Sequence, residues 1–287
     1  MNNISTVGKD PLVSIVTICF NAENTIRMTM ESVLAQDFTN YEYIIKDGGS
    51  SDNTMHIVNS FTEAFNNKGI SFTVISASDC GIYDAMNTGI NTARGTWINF
   101  MNSGDCFYSS TVLSDVFNSH DYSSSSILFG DCIEYEYNRF YLFEKRPDRI
   151  EDVMPFSHQS VFAKRSLMKE YPFNTDYRYS ADYDFLLTAH GLGLEFTDTG
   201  AVICITTKDG ISSVNYHDML MESADIRKAH NMMAMSETEL AAVEKQLVRK
   251  QFVLDRFPTF IKKAIRGLQI TLRHQRTKVT VPPWYRK

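Results

Sequence analysis

The chain has 287 residues, 43% hydrophobic and 22% charged, a balance that can bury a large core and argues against disorder as the main state. Its five cysteines lie far apart without a CxxC pair, which argues against a disulfide framework or a zinc site and fits a reducing compartment. The net charge of −6 divides unevenly: residues 245–287 hold 12 Lys/Arg against 1 Asp/Glu, while residues 1–244 hold 16 against 33.

Residues 12–20, LVSIVTICF, are rich in β-branched side chains without clean alternation, the pattern of a strand covered on both faces. Residues 21–25, NAENT, offer caps for a helix running to about Gln36. The cycle then repeats: strand 41–46, turn 47–52, helix about 53–65, strand 70–76, loop 77–83, helix about 84–93 and strand 96–101. Strands and helices alternating at this spacing predict an α/β fold with a mostly parallel, doubly wound sheet. Right-handed crossovers place the strand ends on one edge, where such sheets bind ligands. Three of those ends deliver an aspartate to a Gly- or Ser-containing turn: Asp47 in KDGGSSD, Asp79 in SDCG and Asp105 in NSGD. A crevice lined by these carboxylates suits a ribose hydroxyl, a base edge and a divalent metal.

Beyond Ser109 the pattern changes. Residues 127–130, 132–137 and 139–143 read as strands added in antiparallel fashion, and 181–191 and 216–235 as helices. No composition shift marks a linker between two domains. The start, MNNISTVGKD, lacks the apolar centre of a signal peptide, and no stretch approaches the roughly 18 apolar residues of a spanning helix, so a cytoplasmic location is expected. In the tail, Phe257, Phe260, Ile261, Ala264, Ile265, Leu268 and Leu272 recur at spacings of three and four among Lys262, Lys263, Arg266 and Arg273. That is a basic amphipathic helix, suited either to an anionic membrane surface or to packing on the body with its basic face in water. Nucleic-acid binding by the tail is not expected beside so acidic a body. The chain has no GxGxxG, Walker A, HExxH or GxSxG, so dinucleotide, ATP-loop, zincin and serine-hydrolase chemistries lack their signatures.

An ordered series of segments resembles family 2 glycosyltransferases of the GT-A class: VSIVTICFN at 13–21, KDGGSSDNT at 46–54, DCGIYDAMNTGI at 79–90, NFMNSGD at 99–105, His158-Gln159 and SADYD at 180–184. The likeness spans roughly residues 12–215, and the GIYDAMN and NSGD versions are most similar to colanic-acid-type exopolysaccharide transferases. The resemblance implies a catalytic domain over 1–215, with a nucleotide-binding half at about 12–107 and an acceptor half at about 108–215, followed by a helical, basic extension over 216–287.

It further implies that Asp47, Asp79, Asn21 and Ser103 serve the nucleotide and that Asp105 reaches Mn²⁺ or Mg²⁺ on the diphosphate; the alternatives are a turn-forming aspartate at Asp47, a loop aspartate before Gly81 at Asp79 and a helix cap at Asp105. Ser103 stands where the family's DXD motif carries its first acid, leaving one carboxylate for the ion. Asp182 falls at the catalytic-base position, although Ser180 and Asp182 also suit a helix N-cap. His158 and Gln159 correspond to contacts with the acceptor or diphosphate, with a purely structural histidine as the alternative. Lys208 lies in a segment similar to the family's late mobile loop, as a phosphate contact or a solvated lysine. The implied reaction is transfer of one sugar, most commonly from a UDP-sugar, to a polyprenyl-diphosphate-linked saccharide with inversion. The rival readings are a non-catalytic sugar-nucleotide or saccharide-binding protein on the same fold, and a sugar-phosphate nucleotidyltransferase. The second lacks its Gly-rich basic loop near the first strand.

Overall fold

In a computed structural model of the chain, which describes residues 10–118, 120–136, 139–143, 145–207, 216–232 and 281–285, the first apolar run forms β1 (Val13–Cys19), buried along almost its whole length. β2 (Tyr41–Asp47), β3 (Ser71–Ser76) and β4 (Trp97–Phe100) join it in parallel in the order β3-β2-β1-β4. The crossovers are α1 (Ile26–Leu34), α2 (Thr54–Ser60), α3 (Thr62–Asn67) and α4 (Ile82–Thr92). The helix expected over 53–65 is thus two. Phe61 N–H donates to Val58 O, a three-residue step that tightens the turn and drives the Phe61 ring into the core.

The second half contributes β5 (Cys106–Phe107), α5 (Val112–Phe117), β6 (Ile127–Glu136), β7 (Arg139–Phe143), β8 (Val161–Lys164), α6 (Arg165–Glu170), α7 (Ala181–Gly191), β9 (Phe196–Thr207) and α8 (Tyr216–Ala229). The sheet continues from β4 through β8, β6 and β9 to β5, with β7 on β6. β8 runs antiparallel to β4 and β6, β7 antiparallel to β6, and β5 antiparallel to β9, whereas β6 and β9 are parallel. The two strands expected at 127–130 and 132–137 are one, β6, with its register irregular around Asp131. Gly130 makes the apparent break because a Cβ there would lie 2.5 Å from Ala201 O. Of the helix expected over 216–235, α8 is the described part; residues 233–235 and the amphipathic stretch 257–272 lie outside the described residues.

One apolar cluster, centred on Ile15, Tyr43 and Phe65, fills the face under α1 to α3. Another, centred on Val16, Met86 and Phe185, fills the opposite face under α4, α6 and α7. This two-sided burial is the physical reason β1 and β2 read as continuous apolar runs. Among the described residues no helix is long and apolar enough to cross a membrane.

At Gly95, just before β4, an added Cβ would sit 2.5 Å from the Ser14 backbone nitrogen, and the Gly95 amide donates to Ser14 Oγ at 2.8 Å. Backbone cannot move aside as a flexible side chain would. Gly95→Ala is expected to destabilise the protein by about 1–3 kcal/mol, read as a lower denaturant midpoint with an unchanged slope.

Candidate active site

The parallel strands end on one edge, and their exit loops are tied to one another by side chains. After β1, Asn21 adopts a left-handed backbone (φ 46°), a conformation Asn tolerates better than most residues. Its amide donates to Ser50 Oγ at 2.8 Å, and its Oδ1 accepts from the Ser51 amide at 3.0 Å. Asn21 therefore clamps the β1 exit to the loop after β2. The neighbouring Phe20 is left 63% exposed.

At the end of β2, Asp47 is fully buried and turned into its own loop. Its carboxylate accepts from Gly49 N at 3.1 Å, Ser50 Oγ at 2.5 Å and Ser76 Oγ at 2.7 Å, as well as from Ser50 N. Burial alone would raise its pKa. The Ser50 and Ser76 hydroxyls and the two loop amides outweigh that and hold it below the usual carboxylate range. Beneath it the Cys19 thiol, pushed up to about 12 by burial and by Asp47, stays protonated and donates to Asp47 Oδ1 at 3.9 Å.

Lys46, 2% exposed, crosses to the next loop and donates to Asp79 Oδ2 at 2.7 Å and to Ala77 O at 2.8 Å. Gly48 permits this approach, since a Cβ there would lie 3.1 Å from Asp79 Oδ2 and 3.2 Å from the Phe20 ring. Phe20, Gly48 and Asp79 thus form a ring face with a carboxylate at its side. Phe20 was not among the residues singled out from the sequence; the signal was an aromatic at a strand exit, where burial ends.

The loop after β4 is held by α1. Thr29 Oγ1 donates to Asp105 O at 2.7 Å and accepts from Gly104 N at 3.1 Å, while Ser103 Oγ and Thr25 Oγ1 share a bond of 2.9 Å. Asp105, 7% exposed, accepts from Gln159 Nε2 at 2.7 Å and from Thr207 N, the end of β9, at 3.3 Å. Lys208, the next residue, lies outside the described residues.

His158 and Gln159 sit in a 3₁₀ turn that leads into β8. Because β8 runs antiparallel to β4, its beginning meets the end of β4. Asn99 of β4 fixes the turn by donating from Nδ2 to Gln159 O at 2.9 Å and to Val161 O at 2.8 Å.

From the other side comes Asp182, in the first turn of α7, whose N-cap is Ser180. Its Oδ2 lies 3.0 Å from His158 Nδ1, and its Oδ1 accepts from Tyr83 Oη of α4 at 3.0 Å. Asp184 faces away and meets His230 Nε2 at 2.7 Å. Tyr83 stands in the GIYDAMN segment, yet sequence alone does not show that its hydroxyl reaches Asp182.

Since a carboxylate can only accept, His158 Nδ1 carries a proton. Burial opposes charge on the ring, but the bond to Asp182, its negative charge and that of Asp105 prevail and raise the pKa. Asn102 Nδ2 lies 3.2 Å from His158 Nε2, while Asn102 Oδ1 is buried with no bonding partner. Turning that amide over would let a protonated His158 donate to Oδ1, so the side chain suits either charge state. A small cavity of about 30 Å³ lies behind the pair, lined by Asp182, His158 and apolar side chains such as Met86, Phe100 and Phe185.

Among the described residues no group of three or more His, Cys, Asp or Glu is placed to hold a metal ion. Asp105 fits an ion whose remaining ligands are phosphate oxygens and water, rather than an all-protein cage.

A sheet with the parallel strands β3-β2-β1-β4 continued by strands of mixed direction has counterparts. The family model for glycosyl transferase family 2 matches residues 14–184. The chain belongs to this family. It is 31% identical over 179 residues to a PGL/p-HBAD biosynthesis glycosyltransferase of Mycobacterium tuberculosis, covering 61% of this chain and 68% of that one. To an uncharacterized glycosyltransferase of the same organism it is 29% identical over 218 residues, covering 71% and 78%. Among solved structures it resembles S. aureus TarS 1–349 in complex with UDP-GlcNAc, with a TM-score of 0.61, 18% identity, and coverage of 75% of this chain and 65% of that one. It also resembles the mannosyltransferase PcManGT from Pyrobaculum calidifontis in complex with GDP-Man and Mn²⁺, at 0.58, 18%, 77% and 63%. At those identities the likeness shows the fold, which is GT-A. This family 2 enzyme is therefore a glycosyltransferase on a GT-A scaffold.

The raised His158 pKa has a sign that can be tested. A group whose folded-state pKa lies above its ordinary value of 6.5 stabilises fully below that value and loses the contribution as pH rises through the folded one. The melting-temperature gap between the wild type and His158→Asn is expected to be widest near about pH 5.5 and to narrow toward about pH 9. A gap independent of pH would refute the charged pairing.

Proposed function

We propose that this enzyme is a hexosyltransferase moving one sugar from a nucleoside-diphosphate-sugar, most simply a UDP-sugar, to a hydroxyl of a polyprenyl-diphosphate-linked saccharide, with inversion. The acceptor chemistry is that of exopolysaccharide, capsule or O-antigen synthesis, and the similarity of GIYDAMN and NSGD to colanic-acid-type enzymes supports it. The observation that carries the reading is the junction at His158-Gln159. Gln159 bonds Asp105 while the adjacent His158 bonds Asp182. Two carboxylates from separate halves of the chain are thereby held by adjacent residues, which supports a donor diphosphate and an acceptor hydroxyl meeting beside them.

On the donor side the exposed Phe20 ring offers a stacking face for the base, with Asp79 beside it to accept from base N–H or ribose O–H. Asp47 acts by shaping the Gly48–Ser50 turn, and Asn21 by joining that turn to β1. Ser103 and Asp105 lie toward the diphosphate. A divalent Mn²⁺ or Mg²⁺ on Asp105, when bound, neutralises the charge that the diphosphate gains. The complex of PcManGT with Mn²⁺ supports the choice of ion.

On the acceptor side Asp182 takes the proton as the hydroxyl oxygen bonds to the anomeric carbon and the bond to the diphosphate breaks with its electron pair. His158 Nδ1–H and Tyr83 O–H hold the carboxylate in place while leaving it lone pairs for that proton. Lys208 belongs to the proposal as a phosphate contact, and the basic residues of 245–287 as the part that meets an anionic membrane on its cytoplasmic face.

Asp182→Asn is expected to lower kcat by about 10²–10⁴-fold with donor KM little changed, measured as nucleoside diphosphate release with a polyprenyl-diphosphate saccharide acceptor. Unchanged turnover would retire the base assignment. In a thermal-shift screen, UDP with Mn²⁺ is expected to raise the melting temperature more than GDP or dTDP, and Asp105→Ala to abolish the Mn²⁺-dependent part. Ser103 in place of the motif's first acid favours one second reading, a non-catalytic sugar-nucleotide or saccharide-binding protein. Donor binding without transfer to any acceptor would select it.

A further inference from the structure

Residues 216–232 and 281–285 lie beyond residues 14–184, the span of the family model, yet each grips one half of the candidate site. The first grip is Glu222 of α8. Its carboxylate accepts from three successive backbone amides, Arg178, Tyr179 and Ser180, each at 2.7 Å. These amides are the last before α7, whose second residue is Asp182. Three N–H groups converging on one carboxylate fix a segment's path more tightly than a single cap does. Ser223 adds a bond of 3.1 Å to Ser180 Oγ, and His230 one of 2.7 Å to Asp184. The start of α7 is therefore pinned to α8.

The second grip is Trp284. Its Nε1–H donates to Phe107 O at 3.0 Å, and its ring, 8% exposed, packs with Cys106, Ile133 and Ile205. Cys106 and Phe107 are the whole of β5 and directly follow Asp105. Ile205 lies two residues before Thr207, whose amide donates to Asp105. Tyr285 packs edge-on against Tyr135 and Phe140, with ring centroids 5.2 and 5.4 Å away. A strand of two residues makes too few ladder bonds to hold itself, so the indole covering it steadies the Asp105 backbone.

We infer that residues 216–232 and 281–285 are part of the catalytic unit, with Glu222 positioning the base Asp182 and Trp284 positioning the metal-side Asp105. This rests on the proposed roles of those two aspartates, and neither anchor touches substrate. The assignment also separates the anchors: Glu222 belongs to proton removal and Trp284 to donor binding.

The test uses the full chain with Glu222→Ala, Glu222→Gln and Trp284→Phe, the last keeping the apolar ring while removing the donor N–H. Glu222→Ala is expected to lower kcat by about 10²-fold with UDP and Mn²⁺ affinity unchanged, and Glu222→Gln to lose less because it keeps an acceptor oxygen. Trp284→Phe is expected to weaken Mn²⁺-dependent UDP binding by about tenfold with a smaller effect on kcat at saturating donor. Amide hydrogen exchange supplies a readout independent of turnover. It is expected to rise at residues 178–184 in the Glu222 variants and at 105–108 in Trp284→Phe. Uniform exchange changes, or losses of melting temperature with both kinetic constants intact, would overturn the inference. A wild type that transfers no sugar would instead overturn the proposed function, with the exchange pattern still deciding the anchoring.

Discussion

The site depends on one strand having two unlike neighbours. β4 runs parallel to β1 and antiparallel to β8, so its C-terminal end meets both the exit of β1 and the entrance of β8. A parallel neighbour brings another loop of the same kind to the shared edge, which places Ile18 and Thr25 against the Asn102–Asp105 turn. An antiparallel neighbour brings the chain in from the opposite direction, which places His158 and Gln159 there. Were β8 parallel to β4, its start would lie at the far end of the sheet and Asp105 would lose its link to Asp182.

Electrostatics then makes the arrangement tenable. The body of the chain is strongly acidic, and the site gathers several carboxylates at one edge. Each has a specific compensation. Asp79 has the buried ammonium of Lys46, Asp47 has the amides and the Ser50 hydroxyl of its own turn with the Ser76 hydroxyl of β3, Asp105 has Gln159 and the Thr207 amide, and Asp182 has His158 and Tyr83. Buried charge without such partners would cost several kcal/mol per group. The pattern also sorts the acids by availability. Asp47 is enclosed, whereas the side chains of Asp79 and Asp182 stay 18% and 16% exposed.

Much of this was legible in the sequence, for local reasons. The parallel half announces itself because strands covered on both faces are written as unbroken apolar runs, and because Asp-Gly and Ser-Gly turns mark their exits. The helix at 181–191 and the resemblance around Asp105 and Asp182 likewise follow from contiguous segments. The mixed half was less readable. β5 is only two residues long, β9 contains Gly200 in a left-handed conformation, and Gly130 disguises β6 as two pieces. Partners at long separation were hidden altogether: nothing local to Tyr83, Asn99 or Glu222 shows which loop each will meet. Lys46 could have been noticed as a lone cation closing an apolar strand, a position that demands an acid within reach.

β5 forms one of the sheet's borders. Phe107 directs its N–H to Ser32 Oγ and its C=O to the Trp284 indole, so the backbone groups that β9 leaves over are already occupied within the chain. A sheet border with unused donors and acceptors invites a foreign strand to extend it, the usual beginning of edge-to-edge aggregation. Here the side chains of Ser32 and Trp284 seal that border, so the same indole that steadies β5 also keeps neighbouring molecules from zipping onto it.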